Sequence, residues 1–207
     1  MSSWIGVALG YVLGSLPWGV LVARWVGDVD PRQIGSGRTG GTNVLRAAGW
    51  EAALITGLGD GLKAALAVWA TRWLGGSPLA QTLAGAAAVM GHNYSLFLGF
   101  SGGAGTASSI GGMFALWPWS LPILLPVGAT VIFVTCRASL GSIAVALILP
   151  ALTMIRAGLG VGPWEHVCYG LLTSTLTLWA LRPNIGRLVR GDERRVDLEA
   201  GGVRSKP

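Results

Sequence analysis

Gly35 to Arg46 reads GSGRTGGTNVLR: four glycines, three hydroxyl side chains, an asparagine and two arginines. Trp4 to Val26 before it and Ala52 to Leu74 after it are long apolar segments, each with the roughly 20 residues an α-helix needs to cross the hydrocarbon of a bilayer. The stretch is therefore a polar loop between two membrane helices. Clustered glycines let successive backbone N–H groups converge into a nest for an anion, and Arg38 and Arg46 add charge to it, so a phosphate-bearing molecule is the first expectation for what docks here. A flexible loop whose arginines only follow membrane topology is the alternative at this stage.

Composition carries the same message along the whole chain. Of 207 residues 52% are hydrophobic and only 12% charged, and the mean hydropathy is +0.59. A soluble core does not need so much apolar residue against so little charge, so an integral membrane protein of one domain is expected. The first apolar run follows Met1-Ser2-Ser3 with no basic leader and is long enough to span, so it is expected to remain in the mature protein. The basic residues behind the formal charge of +6 cluster in loops and the C-terminal region, which argues against nucleic acid as partner. Cys136 falls near the cytoplasmic end of one expected helix and Cys168 in the outer half of another, so no disulfide is expected on distance grounds, and two cysteines and two histidines far apart in sequence make no metal motif.

Further spans are expected at Leu79 to Phe100, Thr106 to Trp117, from Pro118 to Cys136, at Leu140 to Ile155 and at Trp164 to Leu181, giving seven transmembrane helices in an all-α fold. A second glycine loop, SGGAG, lies at Ser101 to Gly105, and from Arg182 the chain reads as a basic polar tail, with a domain over 1–186 and a cytoplasmic tail over 187–207. With seven crossings the ends lie on opposite sides. Placing Arg24, Arg32, Arg38, Arg46, Arg137 and the basic residues from Arg182 to Lys206 inside leaves only Arg72 and Arg156 outside, so the N-terminus is expected outside and the C-terminus in the cytoplasm. Both glycine loops and the segment around Asn184 then share one face. Within the spans, Asp60 and Lys63 stand one helical turn apart and read as a structural pair, and His92 reads as a packing histidine rather than a base.

Four separated stretches together resemble a known family. These are YVLGSLPWG (Tyr11 to Gly19) running on to IGSGRTGGTNVLRAAG (Ile34 to Gly49), then GHNYSLFLGFSGGAGTAS (Gly91 to Ser108), LGSI (Leu140 to Ile143) and LRPNIGRLVRG (Leu181 to Gly191). In order and spacing they are similar to the bacterial acyl-phosphate glycerol-3-phosphate acyltransferases, small multi-pass enzymes of the bacterial cell (inner) membrane that act in phospholipid synthesis. The resemblance implies transfer of a fatty acyl group from acyl phosphate to glycerol 3-phosphate or a related polar acceptor, without metal or cofactor. A mixed anhydride is already activated, so the protein's task is to align two anionic head groups and offset their repulsion. Carried over residue by residue, the resemblance implies Ser36, Arg46 and Asn184 as catalytic. It implies Arg38, Thr42, Asn43, Ser142 and the amides of Gly102, Gly103 and Gly105 as substrate-binding.

The chain also departs from the family pattern. Lysines usual in the second motif are replaced by Ser101 and Ala104, with Gly99 where a third often stands, and the histidine usual three residues before the last-motif asparagine is Leu181. One close charge pair is worth about 4 kcal/mol before desolvation at an effective dielectric near 20, so the lost cations bear directly on binding of the acceptor's phosphate. Arg38 stands where an asparagine is usual and returns charge from a different direction. These departures motivate a second reading, a catalytically retired membrane subunit or lipid-binding scaffold with a protein partner. A transporter is a third reading, resting only on the polar residues within spans.

Overall fold

The computed structural model describes residues 2–196 and is helical throughout them, with one isolated backbone bridge between Ser95 and Ser101. Arg204 and Lys206, assigned above to the cytoplasmic tail, lie outside the described residues.

The first apolar run is broken where the sequence read as one helix. Pro17 has no N–H and disfavours helical backbone at Leu16, so the run divides into α1, Ser2–Ser15, and α2, Trp18–Gly27. The loop that follows tightens around Asp30, which accepts the backbone N–H of Arg32 and pairs with the guanidinium groups of Arg24 (3.2 Å) and Arg32 (2.6 Å).

The next helix, α3, runs over Gly41–Trp73 and takes in residues that read as loop. Its break falls at Gly49, whose φ of 84° and ψ of −176° are accessible to glycine and strained for other residues. A short N-terminal piece bearing Thr42, Asn43 and Arg46 is thus set at an angle to a long apolar one. The remaining helices are α4, Pro78–Asn93, α5, Thr106–Leu116, α6, Leu121–Thr135, α7, Ala138–Gly158, and α8, Glu165–Ala180. Ser77 accepts the N–H of Ala80 and Pro78 opens α4, where a missing donor costs nothing.

The segment read as tail from Arg182 instead forms α9, Arg182–Arg190. Beyond Gly191 the chain returns to the bundle: the Val196 N–H donates to the Cys136 carbonyl at 2.7 Å, and Glu193 and Val196 are buried. A carboxylate with cationic and amide donors beside it, and an apolar side chain three residues on, bring this polar run back onto the protein.

Small residues let the helices approach closely. A Cβ at Gly10 or Gly14 of α1 would lie 2.3 or 2.0 Å from the carbonyl oxygen of Ala84 or Ala88 on α4, so these two backbones are in direct contact. Met113, Leu124, Val145, Leu149 and Tyr169 fill the core between α5, α6, α7 and α8, and the Tyr169 hydroxyl donates to the Ser109 carbonyl at 2.9 Å. The outer surface is apolar, with Leu58, Trp73, Trp119, Phe133 and Val134 exposed, as a lipid-facing surface requires. Among the described residues, four helical stretches are long and apolar enough to cross a membrane: Trp4–Gly27, Gly41–Trp73, Pro118–Thr135 and Ala138–Gly158.

Candidate active site

Asn43 shapes the first glycine loop. Its Nδ2 donates to the carbonyls of Pro31 (2.6 Å), Ile34 (3.0 Å) and Arg38 (2.8 Å), and its Oδ1 accepts the Ser36 N–H at 2.9 Å. Its amide, expected to hold a ligand, is thus fully engaged with the loop's own backbone. Gly35 lies against this amide and against the Arg46 stem: a Cβ there would sit 2.5 Å from Asn43 Oδ1 and 3.3 Å from Arg46 Cδ. Thr42 stands one turn before Arg46 on the same helix face, and the Ser36 backbone is tied to Asn43 of the same turn. Arg46 is half-buried and has no hydrogen-bond or ion-pair partner among the described residues.

The second glycine loop packs on α4. The Gly103 N–H donates to the His92 carbonyl at 3.0 Å. This corrects the expectation that the Gly103 amide is open to an anion, because the loop uses that donor to dock on the helix. Gly103 also covers the His92 ring, where a Cβ would lie 2.0 Å from Nε2. At the ring's other edge, Nδ1 is 3.2 Å from Asp60 Oδ1 and 2.9 Å from Lys63 Nζ, and Lys63 is 2.9 Å from Asp60. The structural pair expected from sequence is present with His92 as its third member. His92, capped by the loop at Nε2, is a bed for the glycines rather than an accessible base. Gly105 takes a φ of 91° against the Asn93 amide, turning the chain into α5. Gly102 lies equally close to the His92 carbonyl, 2.1 Å from the site of a Cβ. Ser142 lines a narrow crevice with Thr106, Ser109, Ser174 and Thr177, so α7 meets the exit of this loop.

Arg38 joins the two loops. Its Nη1 donates to the Gly103 carbonyl at 3.1 Å and its Nη2 to the carbonyl of Ala180 at the end of α8, one turn before Asn184. Ser36, Gly103 and Asn184, far apart in sequence, are therefore brought to one region. Burial and the neighbouring Arg187 lower the Arg38 pKa, with Glu193 among the groups opposing them. A guanidinium stays cationic through such a shift.

Glu193 is the residue that sequence reasoning missed. Its Oε1 accepts from Asn184 Nδ2 and its Oε2 from Arg187 Nε, both at 2.8 Å. Burial pushes its carboxyl up, but hydrogen bonds led by that from Asn184 outweigh this and hold it below the usual glutamate range. Arg187 pairs with it directly, and its charge is felt by Arg38 and Arg46. Three cations against one carboxylate leave a positive excess, which attracts anions to this end of the bundle. The available sequence signal was an acidic residue inside a basic run with an apolar residue three positions on.

An apolar-faced helical bundle in which the guanidinium of Arg38 joins two glycine loops to the end of α8 defines an integral membrane protein with a cationic polar end. The profile described as glycerol-3-phosphate acyltransferase matches residues 4–191, and the chain belongs to that family. It is 41% identical over 197 residues to the glycerol-3-phosphate acyltransferase of Synechococcus sp. (strain CC9902), covering 95% of this chain and 96% of the relative. It is 42% identical over 188 residues to that of Thermus thermophilus, covering 91% and 92%. Its fold is similar to the crystal structure of PlsY (YgiH), an integral membrane glycerol 3-phosphate acyltransferase, in the glycerol 3-phosphate form. The TM-score is 0.84 at 31% identity over 95% of this chain and 96% of the other. The lysophosphatidic acid form of the same enzyme matches with a TM-score of 0.82 at 31% identity, covering 94% and 95%.

Proposed function

We propose that this protein transfers a fatty acyl group from acyl phosphate to glycerol 3-phosphate in the synthesis of membrane phospholipid. The observation that carries the reading is that Arg38 of the first glycine loop reaches the carbonyls of Gly103 and Ala180, setting a cation without an ionic partner among the described residues beside both glycine loops. Two anionic substrates repel each other, and an excess of fixed cations offsets that repulsion while orienting both. Ser36 and Arg46 hold the acceptor. The second glycine loop, with Arg38 on it, faces the acceptor's phosphate; Thr42 and Ser142 hold the acyl phosphate, with its acyl chain in a groove among the helices, and Asn43 keeps the first loop in shape. The acceptor hydroxyl oxygen attacks the acyl carbonyl carbon, the bond from that carbon to the phosphate oxygen breaks, and the leaving phosphate takes the proton. Asn184 Oδ1, buried and without a partner among the described residues, accepts a hydrogen bond from the attacking hydroxyl and aims its lone pair before the proton passes to the phosphate.

Seven crossings, with α1 and α2 together counted as one, leave the N-terminus outside and the C-terminus in the cytoplasm of a bacterial cell. The grouping of charges supports this. Arg72 donates to the Ala115 carbonyl and Arg156 stacks on Trp117, so both lie at the α5 end remote from the glycine loops. Purified protein given acyl phosphate releases inorganic phosphate and forms lysophosphatidic acid only when glycerol 3-phosphate is present. Absence of release with that acceptor and related polyol phosphates removes the reading. The retired-subunit reading gains no support from the geometry, because a cation does reach the second loop.

A further inference from the structure

We propose that Arg38 is the acceptor-specificity residue of the second glycine loop, lending Ser101–Gly105 the cation its own side chains lack. The inference rests on the acyltransferase reading and deepens it.

Between Ser101 and Gly105 every side chain is neutral, so the loop alone offers an anion only dipoles. The guanidinium of Arg38 enters from the other glycine loop and is held by two carbonyls, those of Gly103 and Ala180. Both acceptors are neutral, and among the described residues no carboxylate lies within ion-pair distance of Arg38. Its charge is thus positioned but not neutralised. Of the five N–H donors of a guanidinium these two bonds leave others without a partner among the described residues. Arg187 is near enough to repel it, and Glu193, already bonded to Arg187 and Asn184, offsets this only in part. Two partly buried like charges that repel each other are relieved by an anion, and a phosphate dianion relieves them more than a carboxylate or a neutral polyol. Arg38 therefore selects a phosphorylated acceptor.

A mere staple between the loops would hold both substrates' surroundings in place, and its loss would lower stability and kcat together. A charge acting on the acceptor moves one KM. The test measures wild type first with acyl phosphate and glycerol 3-phosphate, since an inactive wild type counts against the acyltransferase reading and not against Arg38 in particular. Given activity, Arg38→Gln, which keeps a donor for one carbonyl, raises KM for glycerol 3-phosphate by about tenfold or more and leaves KM for acyl phosphate within about twofold. Adding Ala104→Lys, at a partly exposed position of the same loop, recovers most of that loss. An acceptor KM unchanged in Arg38→Gln, or a loss that Ala104→Lys does not repair, overturns the proposal. If Arg38→Gln does not fold, Arg38→Lys decides: retained charge keeps the acceptor KM within about threefold, and a rise beyond about tenfold shows that shape alone matters.

Discussion

Asn184 donates its amide to Glu193, Nδ2 to Oε1 at 2.8 Å, and this bond fixes which way the amide faces. An ionised carboxylate accepts only, so the NH2 side must point to Glu193 and the Oδ1 side away from it. Glu193→Gln lets the amide turn over and removes the ionic partner of Arg187. We expect kcat to fall by about tenfold or more while KM for acyl phosphate changes little, measured by phosphate release. Glu193→Asp, if it reaches the amide, restores part of the rate.

The same carboxylate makes stability depend on pH. Its folded pKa lies below its ordinary value of 4.5, so its contribution is fully present above that value and is lost as pH falls through the lower folded one. Thermal unfolding of wild type should therefore lose stability on acidification below about pH 4.5, and Glu193→Gln should lose less over the same window. Parallel curves for the two proteins contradict this.

Arg46 has no internal partner among the described residues, which separates its role in binding from any role in folding. Arg46→Ala should reduce phosphate release by about 10²-fold or more, yet shift the melting temperature by no more than about 2 °C. A large loss of stability in this variant would show that its charge serves the fold.

The second glycine loop tests the need for close approach. Gly103→Ala places a Cβ about where His92 Nε2 lies, at 2.0 Å, so the loop must move off α4 and carry its carbonyl away from Arg38. KM for glycerol 3-phosphate should rise by about tenfold. Gly57→Ala, where a Cβ meets nothing within 4 Å, serves as the control and should leave both kinetic constants unchanged.

Asp60 sits between Lys63 and His92 with nearly no exposure. Asp60→Asn leaves the lysine uncompensated and should cost about 3–5 kcal/mol of stability. Asp60→Asn combined with Lys63→Met should recover much of that, read as the midpoint of unfolding in detergent. A single variant as stable as wild type would mean that Lys63 finds its partner elsewhere.

Much of this molecule is determined locally. Hydropathy along Trp4 to Leu74 demands a bilayer, the glycines and arginines of Gly35 to Arg46 mark an anion loop, and the motifs in order identify the family. These properties are legible because segment length, charge density and backbone freedom belong to short runs of residues. Local pattern misled where a single backbone choice intervened: Pro17 divides an apolar run, Gly49 bends a helix whose first turns looked like loop, and α9 forms where the composition is that of a solvated tail.

Only the tertiary structure decided which charges meet. Arg38 crosses 65 residues to Gly103 and 142 to Ala180, and Glu193 returns from beyond α9 to orient Asn184. No periodicity or composition encodes such pairings, because they depend on how α4, α8 and the first glycine loop stack against one another. The packing of small residues that sets those distances acts between helices rather than along them, so the chain order that names the family leaves the electrostatics of its site to the fold.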